Sequence, residues 1–169
     1  VYFFLPGGMG ISFLKQYADS GIDIPVVGPA FSFDQGILQA VGAAALGVVN
    51  TSQWNKDIDN PTNASFVETF QAGYGRLPSL YGSQGFDTAN LLVSALETAH
   101  PSDADSFRDA LRAANFDSTR GTFAFGPNHH PIQTIYAREV IQEGDVFTNK
   151  IIGVAFENHS DAYAGDCKM

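Results

Sequence analysis

Three short apolar runs, Val1–Leu5, Ile24–Val27 and Leu46–Val49, recur with a helical segment between each pair, and this rhythm constrains the fold more than any other feature of the chain. Each run has the length of a strand, and the first two are stopped by Pro6-Gly7-Gly8 and Gly28-Pro29. Unbroken apolar character predicts strands covered on both faces, as in a parallel sheet. Between the first two, Ile11, Leu14 and Ala18 share one face of a helix over Gly10–Ser20, with Phe13 and Tyr17 beside it. Gly21 stands where the closing glycine of that helix belongs. A second helix is predicted over Asp34–Val41. Strand, helix, strand, helix, strand at this spacing predicts an α/β architecture, a parallel sheet covered by helices.

After Trp54 the pattern changes twice. Asn55–Asn63 is polar and reads as a loop or crossover. Phe66, Phe70 and Tyr74 then mark a helix that ends at Gly75, and a longer helix is predicted over about Tyr81–Ala99, with Leu91, Leu92, Ala95, Leu96 and Ala99 as its apolar stripe. A third helix covers Ala104–Ala114, opened by Ser102 and Asp105 as an acidic capping box. From Gly121 the period shifts to two. Thr122–Phe125 alternates, Gly126-Pro127-Asn128 turns the chain, and Gln133–Gln142 and Val146–Phe156 form a hairpin across Glu143-Gly144-Asp145. No internal repeat or low-complexity stretch is present.

Charge excludes several functions. The net charge is −9, from 18 acidic and 9 basic residues with no Lys/Arg cluster, so the electrostatic footprint of a nucleic-acid binder is missing. An anionic membrane surface would repel the chain as well. No apolar run approaches the roughly 20 residues needed to span a bilayer. The chain opens within an apolar run and carries no signal-peptide pattern, so upstream sequence is expected. Its single cysteine, Cys167, cannot form an internal disulfide, and its plain reading is a free thiol. Three Asn-x-Ser/Thr sequons, at Asn50, Asn63 and Asn158, are within what chance supplies.

A family resemblance rests on motifs spread over the chain. They are Val1-Tyr2-Phe3-Phe4-Leu5-Pro6-Gly7-Gly8-Met9-Gly10 with Gly21-Ile22, Ile24-Pro25-Val26-Val27-Gly28-Pro29, and Ala44-Ala45-Leu46-Gly47-Val48-Val49. Phe66-Val67-Glu68, Tyr74-Gly75-Arg76, Pro78-Ser79-Leu80-Tyr81, Gln84-Gly85-Phe86-Asp87 and Phe116-Asp117-Ser118-Thr119-Arg120-Gly121 continue it. Gly126-Pro127-Asn128-His129-His130-Pro131 and Asp161-Ala162-Tyr163 close it. In order and spacing these resemble the C-terminal half of type I periplasmic solute-binding proteins of ABC importers, the branched-chain amino-acid-type receptors. The resemblance implies a type I periplasmic binding protein fold with a ligand cleft between two lobes. It implies that residues 1–52 are the later part of lobe two, 53–131 the returning part of lobe one, and 132–169 the final crossing and C-terminal hairpin of lobe two. The implied function is capture of a small carboxylate, an aromatic acid or a branched-chain amino acid, outside the cytoplasm. The implied partners are an ABC permease and the missing N-terminal half or a second copy of the chain. No cofactor or metal is implied, and the parent would carry a signal peptide.

Seven residues are expected at the ligand. Pro6, Gly7 and Gly8 link a strand to a helix, where backbone N–H groups can face a crevice; a plain turn is the alternative. The resemblance implies a tyrosine where this chain has Pro6. It also implies an acid for the ligand ammonium where this chain has Ala30, followed by Phe31. A site without that carboxylate suits an aromatic or apolar acid, bound by ring burial, unless Phe31 and Phe33 serve only to pack the lobe. Tyr81, at a helix start, would cover the ligand and Gln84, one turn on, would add a polar contact; a core tyrosine is the alternative. Trp54 is a hinge or cleft residue, or packing. His129-His130 reads as a turn, since adjacent side chains on an extended segment point apart and no ligand spacing completes a metal site. No nucleophile or acid–base constellation stands out, which argues against an α/β enzyme. A ligand-sensing regulatory domain on the same fold is the rival to transport.

Overall fold

A computed structural model describes residues 1–167. The N-terminal segment runs extended beside the first strand: Tyr2 bridges Val27 in parallel, and the Phe3 N–H donates to the Val27 carbonyl at 3.1 Å. This corrects the expectation of a strand covered on both faces. Phe3 is buried while Tyr2 and Phe4 are exposed, the alternation of an extended segment with one covered side. The chain continues as α1 (Gly8–Asp19), β1 (Val27–Pro29), a 3-10 turn (Ala30–Ser32), α2 (Gln35–Val41) and β2 (Val49–Ser52).

Both strands begin three residues later than predicted, because local bonds use up the backbone before them. The Ile24 carbonyl accepts the Tyr17 hydroxyl at 2.8 Å, and Pro25 has no N–H to give a neighbour. Leu46 and Val48 donate to the carbonyls of Ala43 and Ala45, while the Gly47 N–H and the Val48 carbonyl already bond Val140, so pairing with β1 starts at Val49.

Helices α3 (Pro61–Tyr74), α4 (Leu80–Leu96) and α5 (Ala104–Ala113) follow. Asn60 caps α3 by accepting the Thr62 N–H at 3.0 Å, Pro61 fills its first turn, and Gly75 closes it at φ 65°. Asp103, rather than Ser102, caps α5. Its carboxylate accepts the Ser106 hydroxyl and N–H, which hold it below its ordinary range, whereas Ser102 pairs with His100. Strands β3 (Ala124–Phe125), β4 (Pro131–Glu143) and β5 (Val146–His159) follow, and further 3-10 turns lie at Gly42–Ala45 and Ala164–Asp166. The sheet order is β1-β2-β4-β3, with β5 on β4. The β1/β2 pair is parallel, and the long β4/β5 hairpin adds an antiparallel half, docked on β2 with Asn50 opposite Arg138.

The apolar core forms two clusters. One gathers Phe3, Leu14, Val26, Phe33, Leu38, Val41, Ala45 and Val140 under α1 and α2; the other gathers Ala30, Trp54, Ile58, Phe66 and Leu80 against α3 and α4. Full burial of each large side chain contributes about 1.5–3 kcal/mol. Where the clusters meet, the interior is polar. The buried Arg138 guanidinium donates to Asn50 Oδ1 (2.6 and 3.0 Å), the Trp54 carbonyl (3.1 Å) and Asn55 Oδ1 (3.2 Å). Asn149 joins Asn50 to the Phe33 carbonyl, each bond at 2.8 Å. Loss of hydration pushes Arg138 down to about 10, partly offset by the carboxylates of Asp34 and Asp57, and it remains charged at neutral pH.

A second node centres on buried Asp87 of α4, whose carboxylate accepts from the Ser118 hydroxyl (2.6 Å), the Thr119 N–H (2.9 Å) and hydroxyl (3.1 Å), and Arg120 Nε (3.0 Å). The Asp-Ser-Thr-Arg-Gly motif thus fastens the segment after α5 onto α4.

Replacing Arg138 with Ala strands three buried acceptors, each costing about 1–3 kcal/mol. Arg138→Ala is expected to lose at least about 3 kcal/mol of unfolding free energy, read by urea titration; a loss below about 1 kcal/mol would show that the network carries little of the fold.

Candidate functional site

Three chain segments converge on one exposed face, and backbone-directed bonds hold them there. The Leu5 N–H donates to Ser32 Oγ at 3.1 Å, drawing the segment before α1 onto the 3-10 turn. Two residues beyond that turn, Asp34 Oδ2 accepts the Gly36 N–H at 2.9 Å and caps α2. Its Oδ1 accepts the Leu80 N–H, at the start of α4, at 3.0 Å. Residues 4–8, 30–34 and 80–84 are therefore neighbours.

Three aromatic rings stand on this face. Phe31 lies between Phe4 (centroids 6.0 Å, planes at 72°) and Tyr81 (6.3 Å, 38°). Phe4, Phe31 and Tyr81 are 55%, 37% and 52% exposed, so their contact leaves wide apolar ring surface open. Ring pairs at such offsets also accept a further ring edge-on or stacked. Tyr81 sits in the first turn of α4, capped by Ser79, whose Oγ accepts the Gly82 N–H at 3.2 Å.

The structure brings Phe31 and Tyr81 together, with Gln84 one turn along α4. Gln84 is half-buried, and its amide has no hydrogen-bond partner among the described residues. Pro6, Gly7 and Gly8 are exposed, and Gly7 takes φ 62° at the N-cap of α1, with no side chain capping the first turn. Ala30 differs: it is 2% exposed and packs with Trp54 and Leu80, so its methyl group lies beneath the face. Phe4 was not singled out from the sequence, although the alternation that buries Phe3 turns it outward. Trp54 is packing, with its Nε1–H on Asn63 Oδ1 at 2.7 Å and its ring against Phe66.

Concavities elsewhere differ in charge: one of about 240 Å³ between α4 and α5 is lined by Arg108 and Arg112, which pair with Asp105 and Asp109. Another of about 510 Å³ between α3 and α4 is lined by Glu97 and Asp117, which would repel an anion. His129 and His130 lie in a turn, bonded to Arg112 Nε (3.0 Å) and set 3.5 Å from Asp161. No group of three or more His, Cys, Asp or Glu able to hold a metal occurs among the described residues. The Asp161 carboxyl is held below its ordinary range by the Tyr163 N–H, then by Asn128 and His130, and burial raises Tyr136. Both groups are structural.

The model of the periplasmic binding protein family matches residues 1–145. The chain belongs to this family. The resemblance read from its motifs is thereby borne out, and the mixed α/β fold agrees with solved members. A Leu/Ile/Val-binding protein homologue of Brucella melitensis is 32% identical across 95% of this chain and 43% of its own length. A solute-binding protein of an ABC transporter from R. palustris, solved in complex with benzoate, superposes with a TM-score of 0.88 at 33% identity, covering 100% of this chain and 46% of that one. Another, from Rhodopseudomonas palustris BisB5 in complex with 3,4-dihydroxybenzoic acid, gives 0.78 at 29%, covering 98% and 46%. A leucine-binding protein from Thermotoga maritima shares the fold at 0.75 and 19% identity, covering 90% and 43%. The chain spans less than half the length of these relatives.

The loop that carries Pro6, Gly7 and Gly8 depends on Gly10. A Cβ there would clash with the Leu5 carbonyl oxygen, a backbone atom with no rotamer to give way. Gly10→Ala is expected to cost at least about 1–3 kcal/mol in thermal unfolding through overpacking; an unchanged midpoint would mean the loop is free to shift.

Proposed function

We propose that this chain supplies part of the ligand cleft of an extracytoplasmic solute-binding protein, and that the ligand is a small aromatic carboxylate. The observation that carries the reading is the open face of Phe4, Phe31 and Tyr81, with no free side-chain carboxylate beside it. A zwitterionic amino acid needs an anionic partner for its ammonium. In residues 4–8, 30–34 and 80–84 the one acid is Asp34, and both of its oxygens are taken by backbone N–H groups. A benzoate-like ring needs no such partner: it buries apolar surface on the aromatic floor, while the Tyr81 hydroxyl, Gln84 and N–H groups of the Pro6-Gly7-Gly8 turn are left for its polar atoms.

Pro6, Gly7, Gly8, Phe31, Tyr81 and Gln84 are the contact residues in this reading, with Phe4 added and Ala30 contributing only by leaving the face uncharged. The chain contributes to two lobes, with 1–52 and 132–169 on one side, 53–131 on the other, and the cleft between them, Ala30 packing with Trp54 and Leu80 where they join. The remainder of the protein completes the cleft, and an ABC permease receives the closed, loaded form. The role is binding without chemical turnover, consistent with the benzoate and dihydroxybenzoate complexes of its relatives.

In the whole protein, a ligand at a hundred times its dissociation constant adds about 2.7 kcal/mol of stability. Thermal shifts are expected with benzoate and 4-hydroxybenzoate and not with leucine. Tyr81→Ala is expected to weaken benzoate binding at least about tenfold, a change of about 1.4 kcal/mol. Tighter binding of leucine than of any benzoate would overturn the ligand class.

A further inference from the structure

Asp34 joins the two apolar clusters. It begins α2, which packs in the first cluster, and its carboxylate reaches 46 residues along the chain to the N–H that opens α4 in the second. It is 5% exposed, and its two oxygens divide the work, Oδ2 on Gly36 and Oδ1 on Leu80. A carboxylate can accept at both oxygens at once and favours the positive end of each helix. One residue beyond Leu80 stands Tyr81, and three residues before Asp34 stands Phe31. The short rigid path from ring to ring runs through this carboxylate.

We infer that Asp34 is a positioning residue, a clamp that sets the spacing of Phe31 and Tyr81 by capping α2 and α4 together. The inference rests on the reading of the aromatic face as ligand contact, and it says which buried group makes that face. An amide in place of the carboxylate accepts from only one of the two N–H donors and presents its own NH2 to the other. Ser79 is the natural control. It caps α4 from the same end, through Gly82, without touching the first cluster.

The test uses the whole protein with benzoate as probe. Asp34→Asn is expected to weaken benzoate binding at least tenfold, and Ser79→Ala to leave it within twofold. In a Tyr81→Ala background, Asp34→Asn is expected to change affinity by less than twofold, because the residue acts through that ring. Asp34→Ser keeps an N-cap hydroxyl for α2 but is too short to reach Leu80, and it provides a second variant should the amide prevent folding. Without ligand, nuclear Overhauser contacts between the Phe31 and Tyr81 rings are expected in wild type and Ser79→Ala and absent in both Asp34 variants. Retention of those ring contacts in a folded Asp34 variant, or affinity losses that multiply across the double mutant, would overturn the clamp. Failure of wild type to bind benzoate, with the ring contact still lost in the Asp34 variants, would instead overturn the aromatic-acid reading and leave the clamp standing.

Discussion

The Arg138 guanidinium is a full charge placed where two apolar clusters meet, and the surrounding chain is arranged around satisfying it. A buried cation without partners would cost several kcal/mol. Here Asn50 from β2, Asn55 and the Trp54 carbonyl from the crossover, and Asn149 of β5 form one connected set of bonds. Such a set stabilises only when complete, since each missing member leaves a buried polar atom behind. The geometry of residues 50–58 is thereby fixed together with the register of β2, β4 and β5. No buried side-chain nitrogen or oxygen lacks a partner among the described residues.

From that centre, order spreads outward to the aromatic face. Asn63 receives Trp54 Nε1–H and donates to the carbonyls of Asn55, Lys56 and Ile58, which sets the start of α3 on the crossover. Asp34 carries the same order to the start of α4, and Asp87 binds α4 to the segment that follows α5. Tyr81 and Phe31 therefore stand on elements whose positions are set by buried bonds. Asp34, the one acid in these three segments, is buried and bonded to two backbone N–H groups, so it is not exposed on the face.

Much of the fold was legible because it depends on short-range chemistry. The helices announced themselves through apolar spacing and the glycines at 21 and 75, and the final hairpin through Gly144, whereas Pro61, read as part of a loop over Asn55–Asn63, opens α3. Boundaries failed where a neighbouring side chain or turn intercepted the backbone, as Tyr17 does at Ile24 and Asp103 does before α5. At the candidate site, Phe31 and Tyr81 were recognisable as cleft candidates after a strand end and at a helix start, with core packing as the alternative, and both are exposed. Phe4 was hidden inside an apolar run that read as wholly buried, and Ala30, read as a ligand contact, lies in the core.

By itself, the sequence determined the order and kind of most elements, the lack of a Lys/Arg cluster and, through the resemblance of its motifs, the family. The elements and the charge follow from periodicity, caps and composition, which act over a few residues, and the family from motifs spread along the chain. Tertiary structure alone decided that Arg138 would be buried among amides, that Asp34 would find Leu80, and that three rings would share one face. These depend on contacts between residues 27 to 88 positions apart. Such partners are chosen by strand register and helix packing, and no local pattern in the chain encodes them.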